Sequence, residues 1–225
     1  MKNEAREQEQ VSVFGRSSPW RYPLALLAVF GVLWLALAID PVFRQDWLLE
    51  NALVFVSLPI LVLTARRLRF SNFVYTCLFV FFSLHAIGAH YTYSLVPYDE
   101  WSRMLSGASL NESLGFGRNH YDRLIHFFYG LLVAPAAVEI FAHYGRYPRV
   151  WAALFPALFM ASHAVIYELI EWAAAIVFGG DLGQAYLGTQ GDIWDGQKDM
   201  ACALTGTAIT ITIMAALGRL PVRRR

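Results

Sequence analysis

A chain of 225 residues that is 57% hydrophobic and 16% charged, with a mean hydropathy of +0.42, is too apolar for an ordinary soluble domain, which averages about 45–50% apolar and about 25% charged residues. Its net charge of +1, with basic residues scattered between apolar runs, excludes the basic stripe that a nucleic-acid partner requires. Cys77 and Cys202 each stand alone inside an apolar run, which excludes a disulfide framework or zinc knuckle and leaves them as packing residues.

Residues 1–21 are polar and mixed in charge, predicting a disordered cytoplasmic tail. Spans are predicted at about 22–39, 47–65, 73–95, 120–143, 150–178 and 197–217, each within reach of the roughly 17 to 25 helical residues that cross a bilayer. Ala36 and Ala38 imitate a signal-peptidase site, but the long tail and the continuing membrane pattern favour a retained first helix. The connection 96–119 is polar, with a short interfacial helix expected around Trp101 to Leu105. Residues 179–195 read as a Gly- and Asp-rich loop, and 218–225 form a basic tail. Trp47, Trp101, Trp151, Trp172 and Trp194 fall where an aromatic belt would lie. The fold class is therefore all-α: a polytopic membrane protein with six transmembrane helices in one bundle.

Thirteen of the 18 Lys and Arg residues fall on one side of this alternation and five on the other. The positive-inside rule then places both termini in the cytoplasm. With about 1.5 Å of rise per residue, the polar residues inside apolar runs converge on the outer third. His85, His90 and Tyr93 end the third helix there. Arg118, Asn119, His120, Asp122, Arg123 and His126 open the fourth, with Asp122 and His126 at i, i+4 on one face. Glu168 and Glu171 lie about 27 to 32 Å above the cytoplasmic start of the fifth helix, and Asp192, Asp195 and Asp199 share a face at i, i+3 and i+7 entering the sixth.

Charged side chains inside a bilayer cost roughly 2.5 to 3.5 kcal/mol on insertion scales and mark function. Packed carboxylates must take up protons, pair with Arg118, Arg123 or Lys198, or bind a cation. Carboxylate and imidazole ligands without thiolate suit a divalent metal ion and do not distinguish Zn, Mn, Fe or Mg. The expected metal ligands are Asp192, Asp195, Asp199, His90 and His85. The expected catalytic group is His120, Asp122, His126, Glu168 and Glu171, with Arg118, Asn119, Arg123 and Tyr93 binding substrate. The bland reading is strongest for Asp192, since a helix N-terminus favours an acid by itself. Glu139 and His163 read as structural, through interhelical hydrogen bonds or snorkelling.

Familiar catalytic patterns are missing. Asp192 to Gly196 has the Asp-x-x-Asp-Gly opening of the alcohol phosphatidyltransferase motif without its Ala-Arg or its later aspartates. Six histidines are too few for a membrane desaturase, no Glu-x-x-His pair occurs, and there is neither a Gly-x-Ser-x-Gly elbow nor a P-loop.

Four stretches, GAHYTYSLVP (88–97), RNHYDRLIHFFYG (118–130), YELIEW (167–172) and LGTQGDIWDGQKDM (187–200), resemble the YjdF-like family of bacterial inner-membrane proteins, a family of unknown function. The resemblance runs from about Asp40 to Leu217 and implies a multi-pass protein of the bacterial inner membrane with its first helix retained. A second resemblance, to VanZ-like membrane proteins, rests on Asp122 with His126, on Glu168, and on Asp195 with Asp199. It departs at Met200, where that pattern has Asn.

The leading expectation is an outward-facing Asp/Glu/His pocket that binds a divalent metal. If it is an enzyme, metal-assisted hydrolysis or group transfer on a lipid or envelope precursor is the class, with membrane lipids as surroundings and no nucleic acid. The alternatives are a transporter or proton-coupled carrier and a non-catalytic envelope binding or scaffold protein.

Overall fold

The structure, a computed structural model, describes residues 20–223. The expected N-terminal tail before Trp20 and the last two arginines of the basic tail lie outside the described residues. Ten helices follow in order: α1 (Arg21–Leu37), α2 (Arg44–Glu50), α3 (Ala52–Thr64), α4 (Asn72–His90), α5 (Tyr98–Ser106), α6 (Leu110–Leu114), α7 (Tyr121–Tyr144), α8 (Arg149–Phe178), α9 (Gly180–Leu187) and α10 (Asp195–Ala216). No strand occurs among the described residues beyond a single bridge between Tyr147 and Val222.

Among the described residues, five segments are long and apolar enough to cross a membrane: α2 with α3 (Arg44–Thr64), α4, α7, α8 and α10. α1 is apolar but shorter, at 17 residues. Large aliphatic side chains point outward on most of these helices, including Val32, Leu63, Ile176 and Val177. Water would penalise that surface, whereas lipid accepts it.

Side-chain pairs fix the helix directions. Tyr22 at the start of α1 meets Thr76 near the start of α4 (2.6 Å), and the carbonyl of Leu37 at the end of α1 accepts from His90 at the end of α4 (2.8 Å). α1 therefore runs parallel to α4 over nearly its full length. α4 and α7 are antiparallel: Glu139 near the end of α7 accepts from the amide of Ser71, the N-cap residue of α4 (2.9 Å), and Tyr121 donates to the Leu84 carbonyl (2.8 Å). The expected structural role of Glu139 is visible in that bond. Tyr147 exchanges backbone hydrogen bonds with Pro221 and Arg223. Both ends of the described chain thus lie at the end of the bundle where α4 begins and α7 ends.

α7 and α10 run parallel in the closest helix pair of the fold. A Cβ added to Gly130 would lie 1.9 Å from the Ala203 carbonyl oxygen, and one added to Gly206 would lie 2.2 Å from that of Phe127. Only glycine permits this approach, as in small-residue contacts between membrane helices generally. Thr210 crosses the same seam to the Leu131 carbonyl (2.8 Å). This close pairing sets the starts of α7 and α10, with all their charged residues, side by side.

Three boundaries differ from the sequence expectation. The third span stops at His90 rather than about Leu95, because Thr92 and Tyr93 take positive φ and the Tyr93 amide returns to the Gly88 carbonyl (2.8 Å). The expected loop 179–195 contains α9. The second span is divided at Asn51, whose side chain donates to the Trp47 carbonyl (2.7 Å) and accepts from the Trp34 indole (2.5 Å). The short helix expected around Trp101 to Leu105 lies within α5.

Candidate functional site

At the end where α4 finishes and α7, α10 begin, three helices project acids toward one another. His126 sits at the centre. Its Nε2 lies 3.6 Å from Asp122 Oδ1 and 3.6 Å from Glu168 Oε1. The groups Asp122, His126, Asp199 and His126, Glu168, Glu171 each offer ligand atoms within 4.8 Å of one another. Ligands about 2.0 to 2.2 Å from a common ion stand some 3 to 4 Å apart, and the two 3.6 Å separations fall in that range, longer than direct hydrogen bonds.

His126, Glu171 and Asp199 are buried. Glu168 Oε1 and Asp199 Oδ1 are fully enclosed with no hydrogen-bond partner, a costly state for a carboxylate unless a proton or cation satisfies it. Gly196 makes room for Glu168: a Cβ there would stand 2.6 Å from Glu168 Oε2. The Asp-Gly of the last motif thus has a steric reason. The donor set is hard oxygen with one imidazole, which fits a divalent ion.

A second layer closes this cluster from outside. Arg118 donates to Asp195 and to the Thr189 carbonyl. Arg123 donates to Asp192 (2.5 Å) and to Asp195 (3.0 Å), and its Nε stands 3.8 Å from Asp199. Lys198 (2.6 Å) and the Trp194 amide (3.0 Å) also donate to Asp192. The Lys198 contact, then the Trp194 amide and Arg123, hold the Asp192 carboxyl well below the usual carboxylate range. The arginines expected to grip a substrate anion are therefore engaged by aspartates of the protein itself.

Asn119 splices the same layer together: its amide and carbonyl bond the Gln190 side chain, and its own side chain bonds the Val96 carbonyl and the Tyr121 amide. His120 stacks on Phe116, with ring centroids 4.1 Å apart. Burial, then the charges of Arg123 and Arg118, lowers its pKa.

Four of the five expected metal ligands stand outside the coordination groups: Asp192 and Asp195 are taken up by Arg118, Arg123 and Lys198, and both histidines are held elsewhere. His90 is tied to the Leu37 carbonyl. His85 Nε2 donates to the Glu50 carbonyl (3.2 Å), so its Nδ1 is left to accept from the Tyr93 hydroxyl. His85 and Tyr93 nevertheless line, with Asp122, His126 and Tyr167, a cavity of about 100 Å³ beneath the cluster. A larger cleft of about 510 Å³ opens between α8 and residues 187–200. Glu168, Asp192 and Asp195 meet Leu169, Trp172 and Met200 along it.

Sequence reasoning passed over four residues. Asp46 and Glu50 of α2 are buried, with both Oδ atoms of Asp46 and Oε2 of Glu50 unpartnered. Tyr167 hydrogen-bonds Glu50 and lies edge-on to His126, and Tyr186 of α9 is buried in the same region. The available signal was an acidic i, i+4 pair leading into an apolar run, the pattern that singles out the last helix.

Residues 22–219 match the family described as Predicted membrane protein (DUF2238). The chain is 39% identical over 183 residues to Inner membrane protein YjdF of Escherichia coli (strain K12), an alignment covering 80% of this chain and 83% of that protein. No solved structure matches.

Proposed function

The chain belongs to the DUF2238 family of predicted membrane proteins, and on that footing we propose that Asp122, His126, Glu168, Glu171 and Asp199 hold a divalent cation inside a six-span bundle of the bacterial inner membrane. One observation carries this reading: two groups of ligand atoms, one from α7 and α10 and one from α7 and α8, each lie within 4.8 Å and share His126, and two of their enclosed oxygens have no hydrogen-bond partner.

The ion would supply Lewis-acid chemistry, polarising a substrate oxygen or lowering the pKa of a water. The protein's own residues do the rest. Arg118 and Arg123 neutralise Asp195 and Asp192 and leave the inner carboxylates to the cation. The mainly apolar cleft beside α8, with Glu168, Asp192 and Asp195 in its wall, suits an amphiphile presenting a polar group to Glu168, which supports metal-assisted hydrolysis or group transfer on a lipid or envelope precursor.

Six spans are supported by the parallel course of α1 along α4, and the Lys and Arg bias supports cytoplasmic termini. A periplasmic reporter fused after Gly183 is expected to be active and one fused after Arg146 inactive; the reverse pair of results would invert the orientation.

Elemental analysis of full-length protein purified without chelators tests the site. The expected result is about one divalent ion per chain, lost in Glu168→Gln and Asp199→Asn. Substoichiometric metal that is the same in both variants would remove the reading. The unpartnered Asp46 carboxyl and Glu50 Oε2 favour a second reading, a proton-coupled carrier whose acids continue into α2. Proton flux in proteoliposomes that disappears in Glu50→Gln would select it.

A further inference from the structure

The opposite end of the bundle carries an apolar groove between α1, α3 and α4, with a volume of about 720 Å³, within the range of small-molecule sites. Its walls are aliphatic and aromatic: Leu24, Leu27, Phe30, Leu61, Phe79 and Phe82. At its mouth stand Arg66 and Arg69, with Trp20 beneath the Arg69 guanidinium at 4.5 Å from ring centroid to Cζ.

The cations here differ from those of the acidic cluster. No carboxylate among the described residues pairs with Arg66 or Arg69, and Arg69 Nε is enclosed without a hydrogen-bond partner. The lining reaches from Trp20 to Phe30 along α1, about 15 Å at helical rise. That is the depth of one leaflet of a hydrocarbon core about 30 Å thick.

We propose that this groove binds one anionic phospholipid, its phosphate held by Arg66 and Arg69 at the headgroup level and an acyl chain lying along α1. Arginine suits the phosphate because its planar donors meet two oxygens at once. Basic pockets between transmembrane helices are suited to anionic headgroups on the same ground. Other occupants fit less well. The chain before Trp20 brings only Val11, Val13 and Phe14 as large apolar residues besides Met1, too little to fill such a lining. A second copy would have to insert a narrow apolar ridge. This inference uses none of the metal-site residues and stands or falls separately from them.

The test is native mass spectrometry of the full-length chain released from nanodiscs made of equal parts dioleoylphosphatidylglycerol and dioleoylphosphatidylcholine. Wild type is expected to retain one phosphatidylglycerol in preference to phosphatidylcholine. Arg66→Gln with Arg69→Gln should reduce that preference by about 30-fold, taking each arginine's contribution near an anionic surface. Leu27→Trp, which fills the groove, should release both lipids. Equal retention of the two lipids by wild type, or a preference untouched by the double substitution, overturns the proposal. So does a wild-type dimer that Leu27→Trp splits, because the groove would then be a contact between copies. If Leu27→Trp does not fold, the charge variant decides alone.

Discussion

Two layers of acids lie one above the other at the same end of the bundle and are compensated by different means. Asp192 and Asp195, in the outer layer, are matched by Arg118, Arg123 and Lys198 at hydrogen-bonding distance. Asp122, Glu168, Glu171 and Asp199, in the inner layer, face a single imidazole, with one guanidinium nitrogen 3.8 Å from Asp199 at the edge. The same residue type, four to seven positions apart across the start of α10, therefore does different work. The outer acids lock the loop before α10 onto the start of α7, and the inner acids are left for a proton or a cation to satisfy.

The largest expected effect separates the layers by metal content. Asp199→Asn should lower metal affinity by more than about 100-fold, beyond the usual cost of losing a supporting contact, whereas Asp192→Asn should keep the ion, as read by competition with a metal indicator. Stability responds in the opposite sense. Arg118→Ala leaves the buried Asp195 with Arg123 alone and is expected to cost about 1 to 3 kcal/mol, seen as a lower midpoint in thermal unfolding in detergent. Equal stability losses from Arg118→Ala and from an exposed substitution such as Arg103→Ala would erase the distinction.

Next come the glycines that bring the layers together. Gly130→Ala forces α7 from α10 and should cost about 1 to 3 kcal/mol. Gly196→Ala pushes the Glu168 carboxylate aside and should weaken metal binding by about 10-fold with a smaller change in thermal midpoint.

The smallest effect is a pH dependence of the outer layer. The folded pKa of Asp192 is depressed below its ordinary value of 3.8, first by Lys198, so its contribution is fully present above about pH 4 and is lost as pH falls further. Thermal midpoints of wild type and Asp192→Asn should converge as pH drops below 4, and Lys198→Gln should weaken that convergence.

Much of this end of the molecule was legible in the sequence. Polar residues interrupting apolar runs, placed by a Lys and Arg count that ignored them, brought Asp122, His126, Glu168, Glu171 and Asp199 to one level, because membrane helices have nearly fixed length and rise. What escaped was set by contacts between distant segments. Whether Arg118 faces a ligand or Asp195 depends on how residues 187–195 fold back over α7, and local pattern carries no trace of that. His85 and His90 looked like ligands because a histidine in an apolar run is conspicuous, yet each is satisfied by a neighbouring carbonyl. Asp46 and Glu50 were overlooked because the second span was started at Trp47, which left Asp46 outside it.

The central claim is that one cation joins α7, α8 and α10 through His126 and carboxylates. X-ray absorption at the metal edge of zinc-loaded protein tests it most directly. The account predicts a shell of oxygen and nitrogen at about 2.0 to 2.2 Å with a single imidazole, which disappears in His126→Ala. A sulfur neighbour at about 2.3 Å, or an imidazole signal unchanged in His126→Ala, would contradict it.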